Sequence, residues 1–492
     1  MKDLRISKKF DASSVEYVDQ NSFDYMYSTL NEEQHCVFNQ MINGTNVFLT
    51  GNAGTGKSYV VKVFDMWCAR NNINLIKTAP TGISAFEING TTLHQQFRLK
   101  MGLDFEEQTF YPKELDNVDV LLIDEISMVR IDIFDRIMQI LTLATMKRKR
   151  KKKKDIQLIM VGDFFQLPPV ITKEERPFLN EHYGIDIKDG YCFQSKFWYM
   201  WNVQLYNLTE VMRQEDLEFC DALDKCKRGD NSFVQYIRNN CAKKEVPNGI
   251  WVCGKNATVA EKNAEELGKI EGKTYYSQAE YHGMATPNDR LCDDIFEYKI
   301  GARVVMTAND TTNNIYQNGT LGTIAGTSKD AIKVRFDNGK SCLVNKQKIS
   351  KYEYVYENEK GEKNTETKKL VQNEIGYAKQ YPMRLGYAVT IHKSQGQTYE
   401  AMNLNLEIFS KGQLYVALSR CKNIKNLYIR GFISNRMIMT SDEVIEYYNN
   451  PSNYNFFEPT KEVDEEMCNI IVPTRFVREV QEYIEQLKAE NV

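Results

Sequence analysis

The sequence predicts an α/β nucleotide-binding fold, and three stretches predict it. The first is a short apolar strand at residues 46–50 that runs directly into Gly51-Asn52-Ala53-Gly54-Thr55-Gly56-Lys57-Ser58, a full match to G-x-x-x-x-G-K-[ST]. The second is the apolar run 118–123, ending in the acidic pair Asp124-Glu125. The third is the run 156–161, which leads into Gly162-Asp163-Phe164-Phe165-Gln166-Leu167-Pro168-Pro169-Val170. Unbroken apolar runs with chemistry at their carboxyl ends are what buried parallel strands of a nucleotide fold look like.

Each stretch carries its own chemistry. After the glycine-rich loop, Val60, Val61, Val63, Phe64 and Trp67 fall in a helical pattern, giving the strand–loop–helix context that a phosphate cradle needs. Backbone N–H groups of Gly51, Ala53, Gly54, Thr55 and Gly56 would close around the phosphates, aided by the field of the helix N-terminus. Lys57 is expected to reach the terminal phosphates of ATP, and Ser58 to ligate Mg2+. Asp124 is expected to hold the same ion, and Glu125 to polarise the attacking water, which marks hydrolysis and not binding alone. An acidic pair after a strand is ordinary by itself; its specificity comes from the loop before it. Gln166 sits where a side chain can touch both the γ-phosphate and a neighbouring domain, and the two prolines fix a rigid exit from the sheet.

Composition bounds the rest. A chain of 492 residues predicts two to four domains. Hydrophobic residues at 42% and charged residues at 26% fit a soluble globular protein with real cores. No apolar run approaches the roughly 20 residues that span a bilayer. The start, MKDLRISKKFDASS, lacks the apolar stretch of a secretory signal, so the expectation is an intracellular protein, cytoplasmic in a bacterial or viral setting or nuclear in a eukaryote. Eleven scattered cysteines without a C-x-x-C pair point to idle thiols in a reducing compartment, with neither a disulfide framework nor a zinc site. A net charge of −3 neither argues for nor excludes a nucleic-acid partner, because a motor needs only a basic groove.

Further motifs follow in order along the chain. They are Leu30-Asn31-Glu32-Glu33-Gln34, the glycine-rich loop, Thr78-Ala79-Pro80-Thr81-Gly82-Ile83-Ser84-Ala85 and Thr91-Thr92-Leu93-His94. Then come Ile123-Asp124-Glu125-Ile126-Ser127-Met128, the GDFFQLPPV stretch and Leu208-Thr209-Glu210-Val211-Met212-Arg213-Gln214. The series ends with Tyr387-Ala388-Val389-Thr390-Ile391-His392-Lys393-Ser394-Gln395-Gly396-Gln397-Thr398 and Gly412-Gln413-Leu414-Tyr415-Val416-Ala417-Leu418-Ser419-Arg420. Taken together these residues resemble the Pif/RecD-like branch of the superfamily-one helicases, closest to the Pif family, over residues 30–432. A lone phosphate loop is shared by many ATPases; this ordered set is specific.

The resemblance implies two RecA-like P-loop domains with ATP in the cleft between them. It implies that Gln34 reads the adenine edge and that Arg213 and Arg420 cross the cleft to the γ-phosphate, where a planar guanidinium meets developing phosphoryl charge. Gly396 lies in the motif that approaches the same phosphate. For the strand groove it implies Thr81, Gly82 and His94 in the first domain, and Thr390, His392, Lys393 and Ser394 in the second. Small hydroxyls, turn amides and one lysine suit a phosphodiester backbone held without base reading. A satisfied core histidine is the plainer account of His94.

The expected organisation is an N-terminal segment at 1–25, a first RecA-like domain at 26–200 and a second at 201–310 with 376–450. Short alternating strands at 311–375 predict a small β-barrel accessory domain inserted in the second, and 451–492 form a C-terminal extension. Within the first domain, a short irregular insertion at 91–115 would carry a duplex-splitting wedge in relatives; Phe97, Phe105 and Phe110 are candidates, each equally readable as core. The run Lys147–Lys154 carries eight positive charges. Their mutual repulsion predicts a mobile loop over 146–155, serving as a nonspecific phosphate contact, a nuclear import signal or plain solvated chain. In the extension, Phe476, Val480, Ile484 and Leu487 fall on one helical face, fit for packing on the motor or for a partner.

The expected function is an ATP-dependent DNA helicase, moving 5′ to 3′ on single-stranded DNA and unwinding forked or tailed duplexes in replication, repair or recombination. The polarity is implied by the resemblance alone. It would work as a monomer away from membranes. An RNA-directed motor and a nucleotide-gated clamp that binds without unwinding are the alternatives; the full hydrolytic set of Lys57, Asp124, Glu125, Arg213 and Arg420 speaks against the clamp.

Overall fold

The computed structural model describes residues 22–450 except 101, 104, 106–107, 151–153, 212–215, 288–291, 309, 311–314, 317–318, 329–330 and 358–368. Arg213 and the amphipathic pattern of the C-terminal extension therefore lie outside the described residues. Residues 33–454 form one compact unit. In the other unit the described residues include the helix Phe23–Ser28, capped by the Ser22 side chain, which accepts from the Tyr25 N–H.

A six-stranded parallel sheet builds the first lobe. Its strands are β1 (Val47–Gly51), β2 (Leu75–Ala79), β3 (Thr91–Thr92), β4 (Val120–Ile123), β5 (Gln157–Val161) and β6 (Gln204–Leu208), in the order β3-β2-β4-β5-β1-β6. Every residue of β1, β4 and β5 is buried, which is why these strands read as unbroken apolar runs. Their carboxyl ends deliver the glycine-rich loop, the acidic pair and the Gly162–Gln166 turn to one rim of the sheet.

The second lobe is a four-stranded parallel sheet in the order Ala388–Thr390, Ile250–Cys253, Met402–Asn405 and Leu427–Arg430. One continuous apolar core runs through both lobes, taking Phe48, Leu121 and Leu158 from the first and Val252, Leu404 and Val416 from the second. The helix Asp442–Asn449, expected to belong to the second lobe, packs its tyrosines on the first. Tyr448 Oη pairs with Thr50 Oγ1 at 2.8 Å, its ring stacks on Phe165 at 4.9 Å, and Trp198 Nε1 donates to Tyr447 Oη at 3.2 Å.

Antiparallel strands interrupt the second lobe, as expected, but over a wider span than 311–375. They begin at Thr274 and end at Leu385. Five strands, among them Arg303–Met306 and Met383–Leu385, form one sheet; Glu280–Gly283 joins the long hairpin Gln347–Glu357/Lys369–Gln380; Thr274–Gln278 pairs with Ile295–Lys299. One of these early strands, Ile295–Lys299, escapes a reading by pattern because the exposed Ile295 beside the buried Phe296 and Tyr298 breaks the alternation in the sequence. This region has its own core, including Phe296, Val304, Ile332, Val334 and Phe336. The long hairpin lies against the first lobe at Thr91–Thr92, Leu93–Phe97 and Lys113–Asn117.

Two expectations for the first lobe need correction. The basic run is not a loop at its start: the helix Ile131–Arg150 continues through Lys147, Arg148 and Lys149. Arg148 is 2% exposed, donating through Nη1 to the carbonyls of Leu115 (3.1 Å) and Asp116 (2.9 Å) and through Nε to that of Lys154 (2.9 Å). Carbonyls thus take up one charge, Asp155 pairs with Lys149 at 3.3 Å, and Lys147 lies over the Tyr111 ring, so repulsion does not unwind the helix. The segment 91–115 is also more regular than expected, holding the helix Leu93–Phe97 and the start of the 3-10 turn Lys113–Asn117. Phe97 is core, Phe105 stacks on His182 at 4.1 Å, and Phe110 is 53% exposed.

Candidate nucleotide site and strand-binding surface

The glycine-rich loop joins β1 to the helix Lys57–Arg70, whose first turn has no side-chain cap, leaving its N–H groups for an anion. Gly56 takes φ +86°, which favours glycine, and a Cβ there would push on the Gln34 side chain. Gln34 is buried and donates to the Thr55 carbonyl at 3.1 Å, which seats it against the loop. Lys57 Nζ donates to the carbonyls of Gly51 (2.7 Å) and Asn52 (3.0 Å). Enclosure lowers its pKa, while Asp163, Glu125 and Asp124 oppose that shift. Ser58 is exposed beside it.

Asp124 and Glu125 follow β4. Asp124 Oδ1 accepts from the Glu125 N–H at 2.9 Å, and Glu125 holds φ +50°, a conformation uncommon outside glycine and concentrated at functional sites. Burial pushes both carboxyls above their ordinary values; the Asp124 charge adds to the shift on Glu125, and Lys57 pulls both back. Two enclosed carboxyls facing a single lysine suit a divalent cation, which Asp124 and Ser58 would hold.

The second lobe meets this rim through Gln395, Tyr415 and Gly412, with Arg420 behind them inside its own lobe. Gln395 Nε2 donates to Glu125 Oε2 at 2.9 Å and to Gln166 Oε1 at 3.3 Å. Tyr415 Oη accepts from the Ala53 N–H at 3.1 Å and donates to Asp163 Oδ2 at 3.3 Å. Gly412 lies so close to the Phe165–Gln166 backbone that a Cβ would meet the Gln166 carbonyl oxygen at 2.2 Å. Arg420, 3% exposed, donates to the carbonyls of Val416 (2.9 Å) and Gln397 (3.2 Å), and its charge is felt at Lys57 and Glu125. Next to the undescribed Arg213, Thr209 and Glu210 donate their N–H groups to Glu33 Oε2 at 2.7 and 3.2 Å.

Sequence reasoning singled out Lys57, Asp124, Glu125, Gln166 and Arg420; the structure brings the first four to one rim, while the Arg420 guanidinium is hydrogen-bonded within its own lobe. It passed over Gln395, Tyr415, Gly412 and Glu33, although all four stand inside quoted motifs. Gly396 (φ +78°) follows Gln395 in the same turn, and a Cβ on it would meet Glu87 Oε2 at 3.0 Å.

For the strand surface, β2 and β3 pair side by side, so Thr81, Gly82 and His94 emerge from adjacent strand ends. Thr81 Oγ1 accepts from the Ser84 N–H at 3.2 Å and opens the helix Gly82–Glu87, whose first residue is exposed. His94 is half-buried, and burial, then Arg130, disfavours its charged form. Glu87, ending that helix, meets the 391–397 turn at Gly396, which sets the two lobes' motifs together. In that turn His392 and Lys393 are exposed. Thr390 and Ser394 are not: Thr390 Oγ1 accepts from the Lys393 N–H at 3.2 Å, and Ser394, fully buried, donates to the Ile391 carbonyl at 2.8 Å. Their hydroxyls shape the turn and do not line a groove.

Among the described residues there is no helix long and apolar enough to cross a membrane, and no cluster of His, Cys, Asp and Glu fit for a metal of its own. The family model for PIF1-like helicases matches residues 29–245. The ATP-dependent DNA helicase Pif1 of Campylobacter jejuni is 30% identical over 444 residues, covering 82% of this chain and 94% of that protein. The chain spans 61–64% of the length of mammalian relatives at 28–29% identity. Bacteroides Pif1 in complex with ADP-AlF4 superposes with a TM-score of 0.73 at 29% identity, covering 85% of this chain and 96% of that one. The same helicase bound to single-stranded DNA gives a TM-score of 0.59 at 30% identity, with the same coverage.

Proposed function

Because this chain belongs to the PIF1-like helicase family, we propose that it is an ATP-dependent DNA helicase whose two lobes share one triphosphate. The observation that carries the reading is the reach of Gln395 from the second lobe to Glu125 and Gln166 in the first. Whatever moves one lobe against the other then changes the group that would activate water. The nucleotide analogue and the single strand in the Bacteroides complexes support ATP and single-stranded DNA as ligands here.

In this mechanism the loop N–H groups and Lys57 bind the phosphates, Lys57 exchanging its loop carbonyls for phosphoryl oxygens. Ser58 and Asp124 would hold a magnesium ion, which would supply neutralisation of phosphoryl charge. Glu125, aimed by Gln395, orients and accepts a proton from the attacking water. Gln166 reports the phosphate to the second lobe, and Arg420, with Arg213, supplies positive charge from across the cleft. Gln34 reads the base. The exposed surface of Gly82, His392 and Lys393 grips the phosphodiester backbone, and the cycle of closing and opening carries it past both lobes.

The finer assignments are part of the same proposal: 5′ to 3′ movement, two RecA-like lobes, a barrel-like accessory domain over the strand, Phe110 as the wedge, and a monomeric motor inside the cell acting on forked or tailed duplexes. Phe110 is preferred because Phe97 is core and Phe105 is already stacked. ATP hydrolysis measured with single-stranded DNA, RNA or blunt duplex tests the reading. Strong stimulation by single-stranded DNA is expected; hydrolysis indifferent to all three would make the chain another kind of ATPase.

A further inference from the structure

Lys227 ends the helix Leu217–Lys227 of the second lobe and is only 8% exposed, an enclosure that lysine seldom accepts without partners. Its Nζ lies 2.9 Å from Asp224 Oδ1, donates to Asn52 Oδ1 in the phosphate loop, and sits 5.1 Å from the centre of the Phe165 ring. From the other side the Thr440 hydroxyl donates to the Lys227 carbonyl at 2.9 Å, fixing the end of the helix. One ammonium therefore touches the phosphate loop and the turn before Gln166 together. Asn52 occupies a position that the loop motif leaves open to any residue.

Asn52 is also the hub of its loop. Its carbonyl accepts from Lys57 Nζ at 3.0 Å, from Thr55 Oγ1 at 3.0 Å and from the Thr55 N–H at 3.4 Å. The backbone of this residue thus positions Lys57, while its side chain is held by the second lobe. We propose that Lys227 is a positioning residue which, through Asn52, sets the shape of the phosphate loop and carries the position of the second lobe into the affinity for the triphosphate. The proposal rests on the ATPase reading above.

The chemistry suits the task. An ammonium has three donors and no geometric fork, so it can hold Asp224 and Asn52 at once while lying over the Phe165 ring. A shift of the second lobe by about two ångströms would take the Asn52 contact out of hydrogen-bond range. The loop carbonyl that holds Lys57 would move with it.

The test uses the full chain and a fluorescent ATP analogue, with binding, KM and kcat measured for Lys227→Met, Lys227→Arg, Asn52→Ala and the Lys227→Met/Asn52→Ala pair. Methionine keeps the stem and removes the charge. Each single loss should weaken analogue binding and raise KM by about 5–10-fold with a smaller change in kcat, and the pair should be no worse than either alone. Lys227→Arg should retain most of the affinity. Additive losses, or unchanged binding with only a lowered melting temperature, would reduce Lys227 to a packing residue and overturn the proposal. A wild-type chain that fails to bind the analogue would sink the ATPase reading first and this proposal with it, so the two failures are told apart.

Discussion

Gln395 on the second lobe and Glu125 on the first are joined by a hydrogen bond of 2.9 Å, although 270 residues separate them in the chain. The amide aims one carboxylate oxygen and leaves the carboxylate charge in place. Gln395→Ala should lower DNA-stimulated kcat by roughly 10-fold or more with ATP affinity nearly unchanged, as single-turnover hydrolysis would report. Gln395→Glu should do worse, because a second carboxylate beside Glu125 favours its protonated, inactive form. Wild-type turnover in both variants would make the contact incidental.

The acidic pair gives the protein a pH dependence of definite sign. Both carboxyls are raised, chiefly by burial, so the folded chain binds their protons more tightly than the unfolded chain. Their stabilising contribution is therefore present at low pH and is lost as pH rises from the ordinary carboxylate range through the raised values. In chelator and without nucleotide, Glu125→Gln should gain melting temperature relative to wild type as pH rises over that window. Parallel curves for the two proteins would refute this.

Arg148 should matter more than its lysine neighbours. Arg148→Ala removes a buried cation from three carbonyls and should cost about 2–3 kcal/mol of stability, read as a melting shift. Lys149→Ala should be near neutral, since the exposed pair with Asp155 is worth little. Neutralising residues 151–154 together should flatten the salt dependence of DNA binding if they touch phosphates; an unchanged slope would remove that role.

If Phe110, 53% exposed, is the wedge, Phe110→Ala should reduce strand separation severalfold while leaving DNA-stimulated hydrolysis intact, because a wedge acts on the duplex and not on the nucleotide. Equal loss of both activities would point to folding. Unchanged unwinding would clear Phe110 of the wedge role.

What the sequence reveals and what it hides follow from where each interaction is encoded. β1, β4 and β5 are legible because each strand is buried on both faces and ends directly in its functional residues. Gln395, Tyr415 and Lys227 are hidden because their roles come from contacts with Glu125, Ala53 and Asn52, 175 to 362 residues away, which no local pattern records. The basic run misleads because charge density says nothing of the Leu115 and Asp116 carbonyls that receive Arg148. Thr390 and Ser394 mislead differently: a small hydroxyl suits a phosphate contact and a turn-forming bond equally, and only burial tells them apart.

The account turns on hydrolysis in a shared cleft driving a strand past both lobes, and displacement from forks bearing a single 5′ or 3′ tail tests it most directly. With ATP and magnesium, the wild-type chain should open the 5′-tailed fork and leave the 3′-tailed one closed, while Glu125→Gln, or a non-hydrolysable analogue, opens neither. Opening without hydrolysis, or no opening of either fork despite DNA-stimulated turnover, would contradict it.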